Sequence, residues 1–237
     1  MNARQRRSAR EDDPALMARF RTLARTLAPL QDGLDREAYA AAGLDPLEPV
    51  IGLGPVDAPL CFFGRDPGRT ELQLRQPFVG DAGRLLRRGL LPPADREAAT
   101  DDALLAAGAP FFWLNIVPYK PRGNAVWPAS VRQAFRPLVL HCLVARWHGD
   151  VVVTLGQHAF EWFAVGQPPE VRQQLRERWA RVLDAKAGTV QVRLEAEGRE
   201  RVLRIHPLPH PSPANVIGRR AFPELLQACL AKLPPPP

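Results

Sequence analysis

Apolar positions along the chain fall into two rhythms. Leu16, Phe20, Leu23 and Leu27 recur at the three- and four-residue spacing of one helix face, which predicts an amphipathic helix over residues 15–30. Further helices are expected at 81–89, at 96–107, at 128–147 behind a leading proline, at about 157–165, at 169–185 and at 222–233. Between them lie unbroken apolar runs too short for helices: residues 60–64 (Leu-Cys-Phe-Phe-Gly), 111–117 (Phe-Phe-Trp-Leu-Asn-Ile-Val) and 151–155 (Val-Val-Val-Thr-Leu). Runs of this kind read as strands buried on both faces. Residues 189–195 and 200–205 alternate or are β-rich around Gly198, the pattern of a hairpin. Residues 46–59 form a Gly/Pro-rich connection, and the chain carries no internal repeat.

Apolar strands alternating with helices predict an α/β fold whose parallel sheet is covered on both faces. One domain is expected over residues 15–233, between a basic tail at 1–14, expected to be disordered, and a proline tail at 234–237. In such sheets ligands bind beyond the carboxyl ends of the strands. The polar residues that interrupt the apolar pattern fall at those ends: Asp66 follows the first strand, Asn115 lies near the end of the second, and His210 follows the last.

Each of these residues sits in a short segment with its own chemistry. Gly64-Arg65-Asp66-Pro67-Gly68 reads either as an Asp-Pro-Gly turn or as a loop whose glycines let a ligand approach the backbone while Asp66 orients water or faces developing positive charge. Gln76-Pro77-Phe78-Val79-Gly80-Asp81-Ala82-Gly83 offers a helix start that could face an anion, and Phe78 either stacks on a planar ring or belongs to the core. Arg84, Arg87 and Arg88 follow at helical spacing, as a phosphate-binding or merely solvated face. Asn115 stands in an otherwise apolar strand, where an unpaired amide costs about 1–3 kcal/mol; its donor and acceptor match the edge of a nucleobase. His210-Pro211-Ser212-Pro213 holds an imidazole at a strand end, with two prolines restricting the backbone.

Composition narrows the partners. The net charge is +7 over 237 residues, and of 32 basic side chains only Lys120, Lys186 and Lys232 are lysine. A basic chain suits a polyanion, although a preference for arginine codons produces the same balance. No apolar run approaches the roughly 20 residues of a membrane span, and the first 14 residues lack the apolar core of a secretion signal, so no membrane partner and a cytoplasmic or nucleoid-associated location are expected. Cys61, Cys142 and Cys229 are far apart and read as buried free thiols; their spacing suggests no metal site.

Taken in order, Gly-x-Asp-Pro-Gly, Pro-Phe-Val-Gly-x-Ala-Gly, Leu-Asn-Ile-Val and His-Pro-Ser-Pro resemble the motifs of the uracil-DNA glycosylase superfamily, over roughly residues 60–226. The resemblance implies a three-layer α/β/α sandwich around a mainly parallel four-stranded sheet. It also implies a monomeric enzyme of base excision repair that flips uracil, or a related deaminated base, out of DNA and hydrolyses its N-glycosidic bond. Asp66 then takes the place of the acid that positions water and stabilises the sugar cation. Phe78 matches the ring that stacks on the base, Asn115 the amide that reads its edge, and His210 the donor to the departing base. Gly64 and Arg65 complete the base-binding set. Asn215, Val216 and Ile217 stand where a wedge would enter the duplex. Ser212, Arg219, Arg220 and Lys120 are the remaining candidate DNA contacts.

The chain departs from the pattern in three places. Its frame is most similar to the iron–sulfur branch, but Tyr119 and Phe135 occupy the positions aligned with that branch's later cysteines and the early Cys-x-x-Cys is absent, so no cluster, metal or other cofactor is expected. Gly68 replaces the tyrosine that in the Gly-Gln-Asp-Pro-Tyr-His branch closes the space of a thymine methyl. The resemblance thus implies a deaminated base without strict exclusion of thymine. Arg65 replaces glutamine and sets a charge beside the pocket. A catalytically weak or inactive damage-binding protein on the same fold, and a related nucleotide- or RNA-binding enzyme, are the rival readings. His206 is read as a strand-end structural residue.

Overall fold

The computed structural model describes residues 13–232, and most of the basic N-terminal tail and the proline tail expected from the sequence lie outside the described residues. Strands β1 (Leu60–Gly64), β2 (Phe112–Asn115), β3 (Val151–Leu155), β4 (Val190–Ala196) and β5 (Arg199–Leu208) form one sheet in the order β2-β1-β3-β5-β4. The first four in that order are mutually parallel, and β4 joins β5 antiparallel at one edge. The four-stranded parallel sheet is therefore present with a fifth strand added. That strand is the outer arm of the hairpin expected around Gly198, whose turn residues Glu197 and Gly198 both have positive φ (53° and 72°).

Among the described residues, ten α-helices accompany the sheet: α1 (Pro14–Thr26), α2 (Ala28–Gly33), α3 (Arg36–Ala41), α4 (Arg69–Leu74), α5 (Asp81–Leu90), α6 (Asp101–Ala107), α7 (Ala129–Leu140), α8 (Gln157–Glu161), α9 (Pro169–Ala180) and α10 (Val216–Leu230). Alternate strand residues feed two separate apolar clusters, one on each face. Cys61, Phe63, Phe112, Leu114, Val152 and Ile205 pack with α1, α7 and α9. Leu60, Phe62, Trp113, Val151, Val153 and Leu208 pack with α5 and α10 through Leu86, Phe222 and Leu225. This is the three-layer α/β/α sandwich, and it accounts for the continuous apolar strands. Among the described residues, no helix is long and apolar enough to cross a membrane.

Several helix ends differ from the expected ones, each for a local reason. The first helix stops at Thr26 because Leu27 is extended and Pro29, early in α2, has no N–H to continue the ladder. It begins at Pro14, one residue earlier than expected: Asp13 Oδ1 accepts the Leu16 N–H (2.8 Å) and its Oδ2 pairs with Arg146 (2.7 Å). Helix α6 starts at Asp101, not at residue 96, because the Thr100 hydroxyl caps the Ala103 N–H (3.2 Å). The helix expected at 128–147 is α7 followed by a π-helical turn, His141–Arg146. The last helix begins six residues early, at Val216, where Asn215 Oδ1 accepts the Gly218 N–H (3.1 Å).

Candidate active site

The parallel ladder brings the carboxyl ends of β1, β2, β3 and β5 level. Gly64 is in register with Asn115, and Leu155 with Leu208. Past those ends the loops remain tied to the sheet: Ile116 N–H donates to Gly64 O (2.9 Å), Val117 N–H to Arg65 O (3.1 Å), and Gly156 N–H to Leu208 O (2.9 Å). A cavity of about 640 Å³ opens over this edge, lined among others by Asp66, Phe78, Asn115, His158 and His210. The motifs that lie far apart in sequence thus share one concavity, at the place where an α/β sheet binds ligands.

Gly64 forms the floor. A Cβ there would lie 2.6 Å from Asn115 Oδ1 and 2.7 Å from Phe78 Cζ, so only glycine lets the amide and the ring converge over the strand end. Asn115 is 3% exposed, its backbone fixed by β2. Phe78 is half-buried, tilted against Trp113 with ring centroids 5.2 Å apart, and its backbone is left-handed (φ 57°). It is thus both a packing residue and a cavity wall.

Asp66 has a side chain 8% exposed, with Arg65 Nε 2.5 Å from its Oδ2. Burial raises its carboxyl above the ordinary range; the charge and hydrogen bond of Arg65, and the more distant Lys120 and His158, pull the other way without cancelling that rise. His210 opens onto the cavity opposite Gly156. Its segment is secured by Asn215 Nδ2, which donates to His210 O (3.0 Å), and by Arg219 Nη1, which donates to Pro211 O (2.9 Å). His210 is exposed at the mouth of the cavity; partial loss of hydration there, and then the charge of Arg65, shift its imidazole pKa downward from the usual value. His206 lies within β5, opposite Val153 in register, and does not line the cavity.

The pattern of Uracil DNA glycosylase superfamily proteins matches residues 51–234, most of the chain. The chain belongs to that superfamily. It is also 30% identical over 118 residues to the type-4 uracil-DNA glycosylase of Thermotoga maritima, a match covering 50% of this chain and 55% of that protein. The chain therefore spans about half the length of this curated relative.

The outer candidates of this glycosylase-superfamily chain separate into two groups. Val216 (73% exposed) and Ile217 (71%) project from the first turn of α10, and Arg220 is exposed beyond them. Ser212 is half-buried and lines the cavity. Asn215 and Arg219, by contrast, use their side chains on the His210 segment itself, so they hold that segment rather than reaching outward. Lys120 is a correction. It is 3% exposed, its Nζ donates to Pro121 O (3.0 Å) and Gly123 O (2.5 Å) and lies 3.4 Å from Asp35 Oδ2, which leaves no ammonium at the surface for a phosphate.

The cluster of the iron–sulfur branch does not fit these residues. Tyr119 and Phe135 are fully buried with ring centroids 5.6 Å apart, Phe135 stacks on Phe20, and the Tyr119 hydroxyl donates to Leu47 O (3.0 Å). Where the alignment would ask for thiolates the chain has aromatic core. Among the described residues no group of three His, Cys, Asp or Glu is placed to hold a metal ion.

Three site residues escape sequence reasoning. His158 lines the cavity one residue into α8, carried there by the end of β3. Glu71 lies under the two glycine-rich loops, and its only signal is its place three residues after Gly68, the spacing of a capping pair. Arg87 does not join Arg84 and Arg88 on a solvated face: it is buried, its guanidinium 4.3 Å over the Trp113 ring. At the start of α5 the Gly80 N–H donates to Glu71 Oε1 (2.7 Å), while Asp81, Ala82 and Gly83 of the first turn line the cavity.

Proposed function

We propose that this chain is a monofunctional DNA glycosylase that takes uracil, or a related deaminated base, from DNA and hydrolyses its N-glycosidic bond. The observation that carries the reading is the meeting of Asp66, Phe78, Asn115 and His210 in one cavity at the carboxyl edge of the sheet. The relative named as a type-4 uracil-DNA glycosylase supports the same reaction class.

The chemistry needs two opposite charges handled at once. Breaking the bond leaves positive charge on the sugar and negative charge on the base. Asp66, ionised, faces the sugar, stabilises its cation and orients the attacking water. His210, kept neutral by its surroundings, donates an N–H to the base carbonyl on which negative charge grows. Such preorganised groups are worth roughly 3–4 kcal/mol each in a water-poor site. Phe78 offers a stacking face and Asn115 a donor–acceptor edge for the flipped base. Val216 and Ile217 are the exposed apolar pair that fills the space the base leaves, offsetting the few kcal/mol of unstacking.

The test is base release from oligonucleotides carrying uracil in single strands and opposite guanine or adenine, alongside thymine mismatches, hypoxanthine and xanthine. Release of uracil or another deaminated base, leaving an abasic site, is expected. No release across the panel at several salt concentrations rejects the reading. One observation favours a second reading, a damage-binding protein without turnover: Arg65 already occupies the Asp66 carboxylate. Tight binding to uracil DNA with no abasic product would establish it.

A further inference from the structure

The turn 77–80, which carries Phe78, is held from both sides by two buried charged side chains: Glu71, which also lines the cavity, and Arg87. On one side the Glu71 carboxylate accepts the N–H groups of Val79 (3.1 Å) and Gly80 (2.7 Å) through Oε1, and that of Gly68 (3.0 Å) through Oε2. On the other side the Arg87 guanidinium donates Nε to Phe78 O (2.8 Å) and Nη2 to Pro77 O (3.3 Å). Its Nη1 reaches Leu104 O (3.5 Å) and Leu105 O (3.4 Å) near the carboxyl end of α6, where partial negative charge suits a cation. Of these four consecutive residues, Pro77 and Phe78 thus give their carbonyls to the cation, and Val79 and Gly80 their N–H groups to the anion.

We propose that Glu71 and Arg87 are positioning residues, a paired backbone clamp that sets the Phe78 ring over Gly64 and locks its loop to the loop of Asp66. The proposal rests on the glycosylase reading for its kinetic consequence, but the geometry stands apart from it. A left-handed backbone is unusual for a bulky residue and persists only where its surroundings impose it. Here the imposing groups can be counted. The peptide after Phe78 has its oxygen taken by Arg87 and its N–H by Glu71. Gly83 then lets α5 lie against the same residue, since a Cβ there would come within 2.0 Å of Phe78 C. Through Gly68, Glu71 also fixes the end of the segment that bears Asp66. The stacking surface and the acid are therefore set as one unit, as positioned catalysis requires. Arginine rather than lysine suits the second post, because only a planar fork spans two carbonyls while lying on Trp113.

The test is a double-substitution cycle with a structural readout beside it. Arg87→Met and Glu71→Gln are each expected to slow single-turnover uracil release about tenfold or more, with binding to duplex carrying a tetrahydrofuran abasic analogue kept within about twofold. In a Phe78→Ala background Arg87→Met is expected to change the rate less than about twofold, because the ring it positions is gone. Equal losses in both backgrounds would show a general structural role and overturn the proposal. Amide hydrogen exchange at Gly68, Val79 and Gly80 is expected to accelerate together in Glu71→Gln; unchanged protection also overturns it. Should Arg87→Met fail to fold, Arg87→Lys and Glu71→Gln carry the same comparison. If the wild type releases no base, the glycosylase reading fails by itself, and the exchange experiment still decides the clamp.

Discussion

Arg65 closes on the carboxylate of its own neighbour, Asp66: Nε lies 2.5 Å from Oδ2 and Nη2 3.4 Å from Oδ1, while the same Nη2 reaches Asn124 O at 3.3 Å. Burial pushes the Asp66 pKa up and Arg65 pulls it down, and the net shift is upward from the ordinary carboxylate value. The arginine side of the pair is 29% exposed, which limits what its Coulomb attraction is worth. Arg65 thus keeps the carboxylate ionised to lower pH than burial alone would allow, at the cost of standing in front of it.

That balance predicts a pH effect. In Arg65→Ala the Asp66 pKa is expected to rise further, so the acidic limb of kcat/KM against pH moves to higher pH. On the alkaline plateau, where Asp66 is ionised in both proteins, the variant is expected to stay within a few-fold of wild type or exceed it. Profiles between pH 4.5 and 8.5 check this. A limb that stays in place, or moves to lower pH, rejects the assignment of Asp66 as the ionised group.

The two charge-handling residues are expected to act strongly and separately. Asp66→Asn and His210→Ala should each slow base release about a hundredfold or more, the size of losing one preorganised group. Both should leave the unfolding midpoint within a few degrees of wild type, since neither side chain belongs to the two apolar clusters. Single-turnover rates and thermal unfolding measure the two effects. Rates within about threefold of wild type for either variant would remove that residue from the mechanism.

How far this site is legible in the sequence depends on what each residue answers to. Strands at 60–64 and 151–155 are readable to the residue because both faces are buried, so the apolar run and the strand share their ends. Asp66, Asn115 and His210 are visible because they break such runs where a parallel sheet binds ligands. Helix ends are less visible: α6 and α10 begin where Thr100 and Asn215 find free N–H groups, which periodicity does not register. Glu71, Arg87 and Lys120 are hidden for a related reason. A charged residue on a short helix or loop reads as solvated, and only the folded backbone supplies the carbonyls and N–H groups that let these three be buried.

Val216 and Ile217 offer a test that separates duplex from single strand. They are the first two residues of α10, held in place by the Asn215 cap, and the most exposed large apolar side chains among the described residues. A single strand has no stack to replace. Replacing both with alanine is therefore expected to slow uracil release from duplex about tenfold and from single strands less than about twofold. Equal losses on the two substrates would mean that the pair contacts the strand generally and is not a wedge.

His206 predicts how stability responds to acid. It is buried within β5, and burial first, then the charges of Arg178 and Lys232, hold its pKa down to about 4. The unfolded chain takes up this proton as pH falls through the ordinary histidine value near 6.5, while the folded chain resists until about 4. Stability from this residue is therefore complete above about 6.5, declines between 6.5 and 4, and changes no further below. At 1.36 kcal/mol for each unit the loss over that window is on the order of 3 kcal/mol. Urea unfolding at pH 7 and pH 4.5 should show a smaller decline for His206→Gln than for wild type, because the variant has no proton to accept. Identical declines would mean that another buried group governs the acid response and that His206 is hydrated in the folded protein.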